Sequence, residues 1–318
     1  MSSTTPDRDF LLALADTDAF TPLPATTLAA VLASPPFVSI PDTFNARDLG
    51  LVPGSPIPPG RLYRTAVFAA EVSAEGRAAL RERLGVGRMV DLRTAGERAR
   101  RPEPAVDGVE GVWIEPEEGL APNLDDFGEG EGEKGVVRMY LDVLRLYRGA
   151  IRAVLEQVRD GWERGAVLFH CNGVLLEFLS IFFFVFGLSL FSPLFSPSQE
   201  HANTRIQAGR DRTGIVAAIL LSLAGAGAET IALDYLLSRI GIEPAKEQLL
   251  AYVTKGPMAV NMDARGFRNM ANLKLGCWEA FVKAVDAEYG GFEGYVRGPL
   301  GFSEEDVAKI KNNLVFPN

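Results

Sequence analysis

Cys171 and Arg212 are the residues of this chain whose types most readily do chemistry on an anion. A cysteine attacks as its thiolate, and a free thiol with a pKa of about 8.5 needs a positive neighbour to ionise near neutrality. An arginine supplies that charge and also a planar fork that grips two phosphate oxygens, which a lysine cannot match. Arg212 lies within the run Ala208-Gly209-Arg210-Asp211-Arg212-Thr213-Gly214, whose small first residues let backbone N–H groups turn towards one anion. If Asn172 met Ala208, the chain would read His-Cys-Asn-Ala-Gly-Arg-Asp-Arg-Thr-Gly, with five residues between cysteine and arginine. That spacing suits displacement at phosphorus, with Cys171 as nucleophile, Arg212 holding the phosphate and Thr213 steadying the thiolate when it leaves again. The departing alkoxide or phenoxide needs a proton. Asp211 in the loop or Asp91 at a neighbouring strand end could give it, and the sequence leaves both open.

The chain as written does not join these pieces. Residues 172–211 separate Cys171 from Arg212, and 173–207 are the least typical stretch of all. They hold seven of the nineteen phenylalanines (Phe178, Phe182, Phe183, Phe184, Phe186, Phe191 and Phe195) among Leu, Ser and Pro. Codons for these four residues are rich in pyrimidines. The stretch therefore reads as an unspliced intron translated in frame, and excision from within the Gly173 codon to within the Ala208 codon would restore the short loop. A true loop insertion and a membrane segment over 174–195 are the other readings. Against a span, Glu177 interrupts that apolar run, Pro193 ends it, and Lys or Arg flanks are missing until Arg205. With the stretch retained, consecutive N–H groups cannot surround one anion, so the translated chain is expected to be inactive unless the insert loops out and leaves Asn172 beside Ala208.

A phosphate loop must lie between a strand and a helix N-terminus, where unpaired N–H groups and the positive dipole end face the anion. Residues 166–169 form a continuous apolar strand and 214–224 an apolar helix. A second strand over 88–92 ends in charges, which places Asp91 and Arg93 at the ligand-binding edge of a parallel sheet. Taken alone, they read as a capping pair for the next turn. Further helices are expected over 73–84 (capped by Ser73, stopped by Gly85), 136–159, 229–239, 244–253, 272–289 and 303–314. Residues 37–66 are strand-like and rich in turns, with Arg47, Asp48, Arg61 and Arg64 read as a solvated edge carrying ion pairs. Residues 115–134 read as a mobile acidic loop, a solvated insertion rather than a lid. The expected fold is α/β, a mostly parallel central sheet flanked by helices. Residues 1–36 form a helical lead-in, and 37–318 form one domain interrupted at about 173–207.

Composition narrows the function. A chain of 318 residues, 47% hydrophobic and 23% charged, buries its core without staples. Its net charge of −9 argues against a nucleic-acid partner held by broad phosphate neutralisation, so an anionic substrate needs a local basic pocket. Cys171 and Cys277 make no disulfide framework, and with His170 and His201 they leave too few ligands for a zinc cluster. No metal and no cofactor are expected. A reducing cytoplasm fits the cysteine usage, residues 1–20 lack the pattern of a signal peptide, and no membrane partner is expected.

The ending AGRDRTG after VLFHC resembles the signature loop of the protein tyrosine phosphatase superfamily. It is most similar to the tyrosine/serine protein phosphatase family of fungi and bacteria, whose loop reads His-Cys-x-Ala-Gly-Lys-Asp-Arg-Thr-Gly. FNARDLG (44–50), RLYRTA (61–66), VDLRTAGER (90–98) and DYLLSRIGIEP (234–244) occur in the family's order, and the likeness covers residues 37–314. The resemblance implies a metal-independent phosphatase acting on phosphotyrosine, with phosphoserine, phosphothreonine or phosphoinositides as further substrates. It likens Cys171 to the nucleophile, Arg212 to the phosphate-binding arginine, and Asp211 and Asp91 to acids in turnover. Ala208, Gly209, Arg210, Thr213 and Gly214 would line the phosphate. Arg210 replaces the family's lysine, and its wider fork is expected to favour a second phosphate. The rival reading is a phosphate-binding module without catalysis. A rhodanese-like sulfurtransferase also uses a cysteine loop, but the Asp-Arg-Thr-Gly ending argues against it.

Overall fold

The computed structural model describes residues 6–66, 68, 72–117, 120, 122–171, 209–247 and 265–316. Strands β1 (Arg47–Asp48), β2 (Leu62–Ala66), β3 (Val86–Asp91), β4 (Glu110–Trp113) and β5 (Ala166–Cys171) form one sheet in the order β1-β2-β5-β3-β4. β1 runs antiparallel to β2, and every other neighbouring pair is parallel. This is the expected α/β architecture. Both faces of the central strand are covered: Val167, Phe169 and Cys171 of β5 enter the larger core, while Ala166 and Leu168 enter a smaller one with Leu80, Val86 and Met89. A strand buried on both sides reads as an unbroken apolar run, which is why β5 shows in the sequence.

Around the sheet lie α1 (Arg8–Ala15), α2 (Ala25–Leu32), α3 (Ala74–Ala78, continued by a π turn over Ala79–Arg83), α4 (Ala95–Arg100), α5 (Glu133–Leu146) and α6 (Arg148–Arg159). They are followed by α7 (Asp211–Leu223), α8 (Ala228–Leu236), α9 (Ser238–Gly241), α10 (Arg265–Ala271), α11 (Leu275–Tyr289), α12 (Gly291–Arg297) and α13 (Glu304–Val315). Leu11, Ala15, Leu23 and Val31 from the lead-in belong to the main core.

Three expectations change. The helix over 136–159 is two, because Tyr147 (φ −102, ψ 18) leaves helical geometry between α5 and α6 and lays its buried ring against Arg212. Within the acidic stretch, Leu124–Phe127 form a 3-10 turn in which Phe127 is buried and Asp126 pairs with Lys134 (2.7 Å) and Arg138 (2.8 Å). That part is anchored by an apolar plug and two ion pairs rather than solvated. The helix foreseen over 244–253 opens with a 3-10 turn at Glu243–Ala245 and is α-helical at 246 and 247, beyond which it lies outside the described residues. The interruption at 173–207, with its apolar run over 174–195, also lies outside them. Among the described residues no helix is long and apolar enough to cross a membrane.

Candidate active site

Because β2, β5 and β3 are parallel, their C-termini share one edge, where sheets of this kind bind ligands. Ala66 stands opposite Cys171 and Asp91 opposite His170 at that edge. The N-terminus of α7 meets it: Thr213 Oγ1 is 3.9 Å from Cys171 Sγ. The two ends of the split motif are therefore neighbours in space, and Cys171, Asp211, Arg212 and Thr213 are all buried. Asn172 and Ala208 lie outside the described residues.

Arg212 is held by Glu97. Its Nη1 and Nη2 donate to the two carboxylate oxygens at 2.6 and 2.8 Å, Nη1 also donates to the Leu92 carbonyl at 3.1 Å, and the guanidinium lies 5.4 Å from the Tyr147 ring centroid. Burial pushes the Glu97 pKa up, but the Arg212 charge and hydrogen bonds win and hold it below the ordinary range. Glu97 also closes a capping box with Thr94, whose backbone N–H donates to Oε2 at 2.9 Å. Sequence reasoning passed over this residue. Thr94-x-x-Glu97 spells a capping box, yet nothing in that spacing says that the same carboxylate faces Arg212.

Asp211, the first residue of α7, accepts from Tyr140 Oη at 2.7 Å and from Arg210 Nε at 2.8 Å, and Tyr140 is in turn 2.6 Å from Tyr235 Oη. Tyr140 reads as core in the sequence, since its spacing on α5 is that of the apolar face. Arg210 spends its remaining arms on the Ala271 and Met270 carbonyls at 3.1 and 3.2 Å. Its fork is thus turned onto α10 and Asp211.

Asp91 is enclosed by cations. Arg93 donates to both of its oxygens at 2.8 Å and Arg98 lies 3.0 Å away. Burial raises the Asp91 pKa, but His170 and the hydrogen bonds and charge of Arg93 pull it down to about 2. Asp91, Glu103 and His170 bring one potential metal-ligand atom each within 4.8 Å of one another. Arg93 also binds Glu103 at 2.5 Å, and His170 Nε2 is 2.9 Å from the other oxygen of Glu103. A cation would have to displace those arginines.

The edge read as solvated is buried at three of its four charged residues, with Arg61 left half-buried. Arg47, Asp48 and Arg64 are buried: Asp48 accepts from the Gly50 and Gly60 N–H groups at 2.8 and 2.7 Å, and Asp234 on α8 pairs with Arg47 Nε at 3.0 Å and with Arg64 Nη1, so the two arginines share one interior carboxylate. Burial raises the Asp234 pKa, yet Arg64 and Arg47 hold it below the ordinary range. From this brace Arg64 Nη2 reaches the Gly209 and Arg210 carbonyls at 3.0 and 3.1 Å, and Asn45 Nδ2 donates to the Gly209 carbonyl at 2.9 Å. Gly209 adopts φ +55, and a Cβ there would fall 2.5 Å from backbone atoms of Thr65 and Ala66. Gly214 donates its N–H to the Arg210 carbonyl at 2.9 Å and packs below the Tyr235 ring.

An activated thiol was expected. In this structure burial pushes the Cys171 thiol up, and the Arg212 charge and the hydrogen bond from the Thr213 backbone N–H oppose it without prevailing. Asp211 and Glu97 add to the upward push. Glu97 neutralises the charge that would otherwise favour the thiolate.

The model of the tyrosine phosphatase family matches residues 38–173 and 206–316, so its match is broken between Cys171 and Arg212. A protein of Cupriavidus necator assigned as a tyrosine-protein phosphatase is 24% identical over 282 residues, 85% of each chain. A tyrosine-protein phosphatase of Nostoc commune is 26% identical over 271 residues, 81% of this chain and 75% of that one. The triple specificity protein phosphatase PtpB of Mycobacterium tuberculosis is 25% identical over 292 residues, 87% of this chain and 98% of that one.

Proposed function

The chain belongs to the tyrosine phosphatase family, and from that membership we propose that its ends encode a cysteine-dependent phosphatase for phosphotyrosine, working through a phosphocysteine. One observation carries the proposal: Cys171 Sγ lies 3.9 Å from Thr213 Oγ1 although residues 172–212 separate them in sequence. The strand end and the helix start that must flank a phosphate loop face each other.

In the first step the Cys171 thiolate attacks phosphorus, the S–P bond forms, and the P–O bond to the leaving group breaks. Arg212 and the N–H groups at the start of α7 balance the charge on the phosphoryl oxygens. Asp211 gives the leaving oxygen its proton. Asp91 is the poorer donor, since two arginines, Arg93 and Arg98, keep it as a carboxylate, whereas Asp211 pairs with Arg210 alone through one oxygen. In the second step water attacks phosphorus, Asp211 takes the water proton, the S–P bond breaks, and phosphate leaves as the thiolate returns against Thr213.

The family match supports reading the interruption as foreign to the domain, since 174–205 have no counterpart in it. We propose that the working form joins Asn172 to Ala208, as removal of a retained intron would do, within one domain spanning 37–318. Phosphate binding without turnover is the second reading, favoured by the burial and raised pKa of Cys171 in the chain that keeps the insert. Rapid acid quench of the joined chain with an aryl phosphate, followed by peptide mapping, distinguishes them. Phosphate on the Cys171 peptide is expected, and binding with no such adduct would favour the second reading. Sequencing of the mature message across the Cys171 codon tests the intron separately.

A further inference from the structure

We infer that Arg64 is a positioning residue for Cys171, acting through the Thr213 hydroxyl. The inference rests on the phosphocysteine reading above, because it concerns how the thiolate is held. Arg64 is wholly buried on β2, with Asp234 fixing its Nη1, and its Nη2 lies 3.0 Å from Thr213 Oγ1.

A guanidinium carries donors and no acceptor. Thr213 Oγ1 therefore accepts from Arg64, and its own proton cannot point there. The other hydrogen-bond partner of that hydroxyl among the described residues is Cys171 Sγ at 3.9 Å. A neutral thiol donates to the hydroxyl oxygen, whereas a thiolate only accepts, so on ionisation the hydroxyl proton turns to sulfur. Arg64 leaves it no competing direction and, by drawing on the oxygen, makes it a stronger donor. The same Nη2 lies 3.0 and 3.1 Å from the carbonyls of Gly209 and Arg210, so its two hydrogens are shared among these three oxygens and tie loop end and hydroxyl together. Lysine, a single point charge, could not serve Asp234 and these three oxygens together.

Arg212, Asp211 and Glu97 also act on Cys171 through their charges, and Thr213 through its backbone N–H, which Thr213→Ala keeps. Arg64 acts through one hydroxyl, and that difference is measurable. The thiolate absorbance of Cys171 in the full chain, taken as the difference from Cys171→Ser, is titrated in the parent, Arg64→Gln, Thr213→Ala and the double variant. No turnover is needed, so a failed phosphatase assay leaves this test standing. Arg64→Gln and Thr213→Ala are each expected to raise the midpoint by about one pH unit, and the double variant no further than Thr213→Ala alone. No shift in Arg64→Gln, or the same shift again on top of Thr213→Ala, would overturn the inference. If circular dichroism shows Arg64→Gln unfolded, Arg64→Lys takes its place: a smaller rise with Thr213 present and none in the Thr213→Ala background supports the role, while equal rises in both overturn it.

Discussion

Glu97 grips Arg212 through both carboxylate oxygens, at 2.6 and 2.8 Å, while Thr94 fixes Glu97 itself from the start of α4. Both side chains are almost wholly buried, so neither charge is tolerable without the other. Glu97→Gln keeps the shape and removes the charge. It is expected to lower stability by about 3 kcal/mol in urea unfolding. An unchanged midpoint would mean that Arg212 finds another partner and that the pair does not organise the site.

Asp91 gives the pair's neighbourhood a pH dependence. Its pKa in the folded chain is about 2 against an ordinary 3.8, so below about pH 4 the unfolded chain takes up the proton first. The stability contributed by the carboxylate is therefore full above about pH 4 and lost as pH falls towards 2, an amount of about 2 kcal/mol. Asp91→Asn should be less stable than the parent at neutral pH, with the gap closing across that window. A gap that stays constant from pH 5 to pH 2 would show that Asp91 is not held by Arg93 and Arg98 as described.

Gly209 tests whether the loop end is seated against β2. Alanine at φ +55 is strained, and its Cβ would meet the backbone of Thr65 and Ala66, which has no rotamer to yield. Gly209→Ala is expected to lose at least about 2 kcal/mol by thermal or urea unfolding, and to loosen the link to Arg64. Full stability in that variant would mean that the loop end rests elsewhere.

What the sequence showed and what it hid divide along physical lines. β5 and α7 were legible because both are continuously apolar, and Arg212, Asp211 and Thr213 because they are adjacent in the chain. The brace was not: Arg47, Arg64 and Asp234 lie far apart in sequence, and three charged residues in turn-rich or helical segments look solvated until a shared interior carboxylate is seen. Glu97 was hidden by doing two jobs, since its capping role alone accounts for its place after Thr94. The raised Cys171 pKa was also out of reach, because it depends on burial and on the neutralisation of Arg212, neither of which spacing encodes.

The central claim is that Cys171 and Arg212 belong to one phosphate loop that residues 173–207 divide. It is tested most directly by joining Asn172 to Ala208 and measuring hydrolysis of an aryl phosphate beside the full chain. The joined chain should turn over, the joined chain carrying Cys171→Ser should not, and the full chain should be slower by roughly a hundredfold or more. Equal rates with and without the Cys171 thiol, or a full chain as fast as the joined one, would contradict the account.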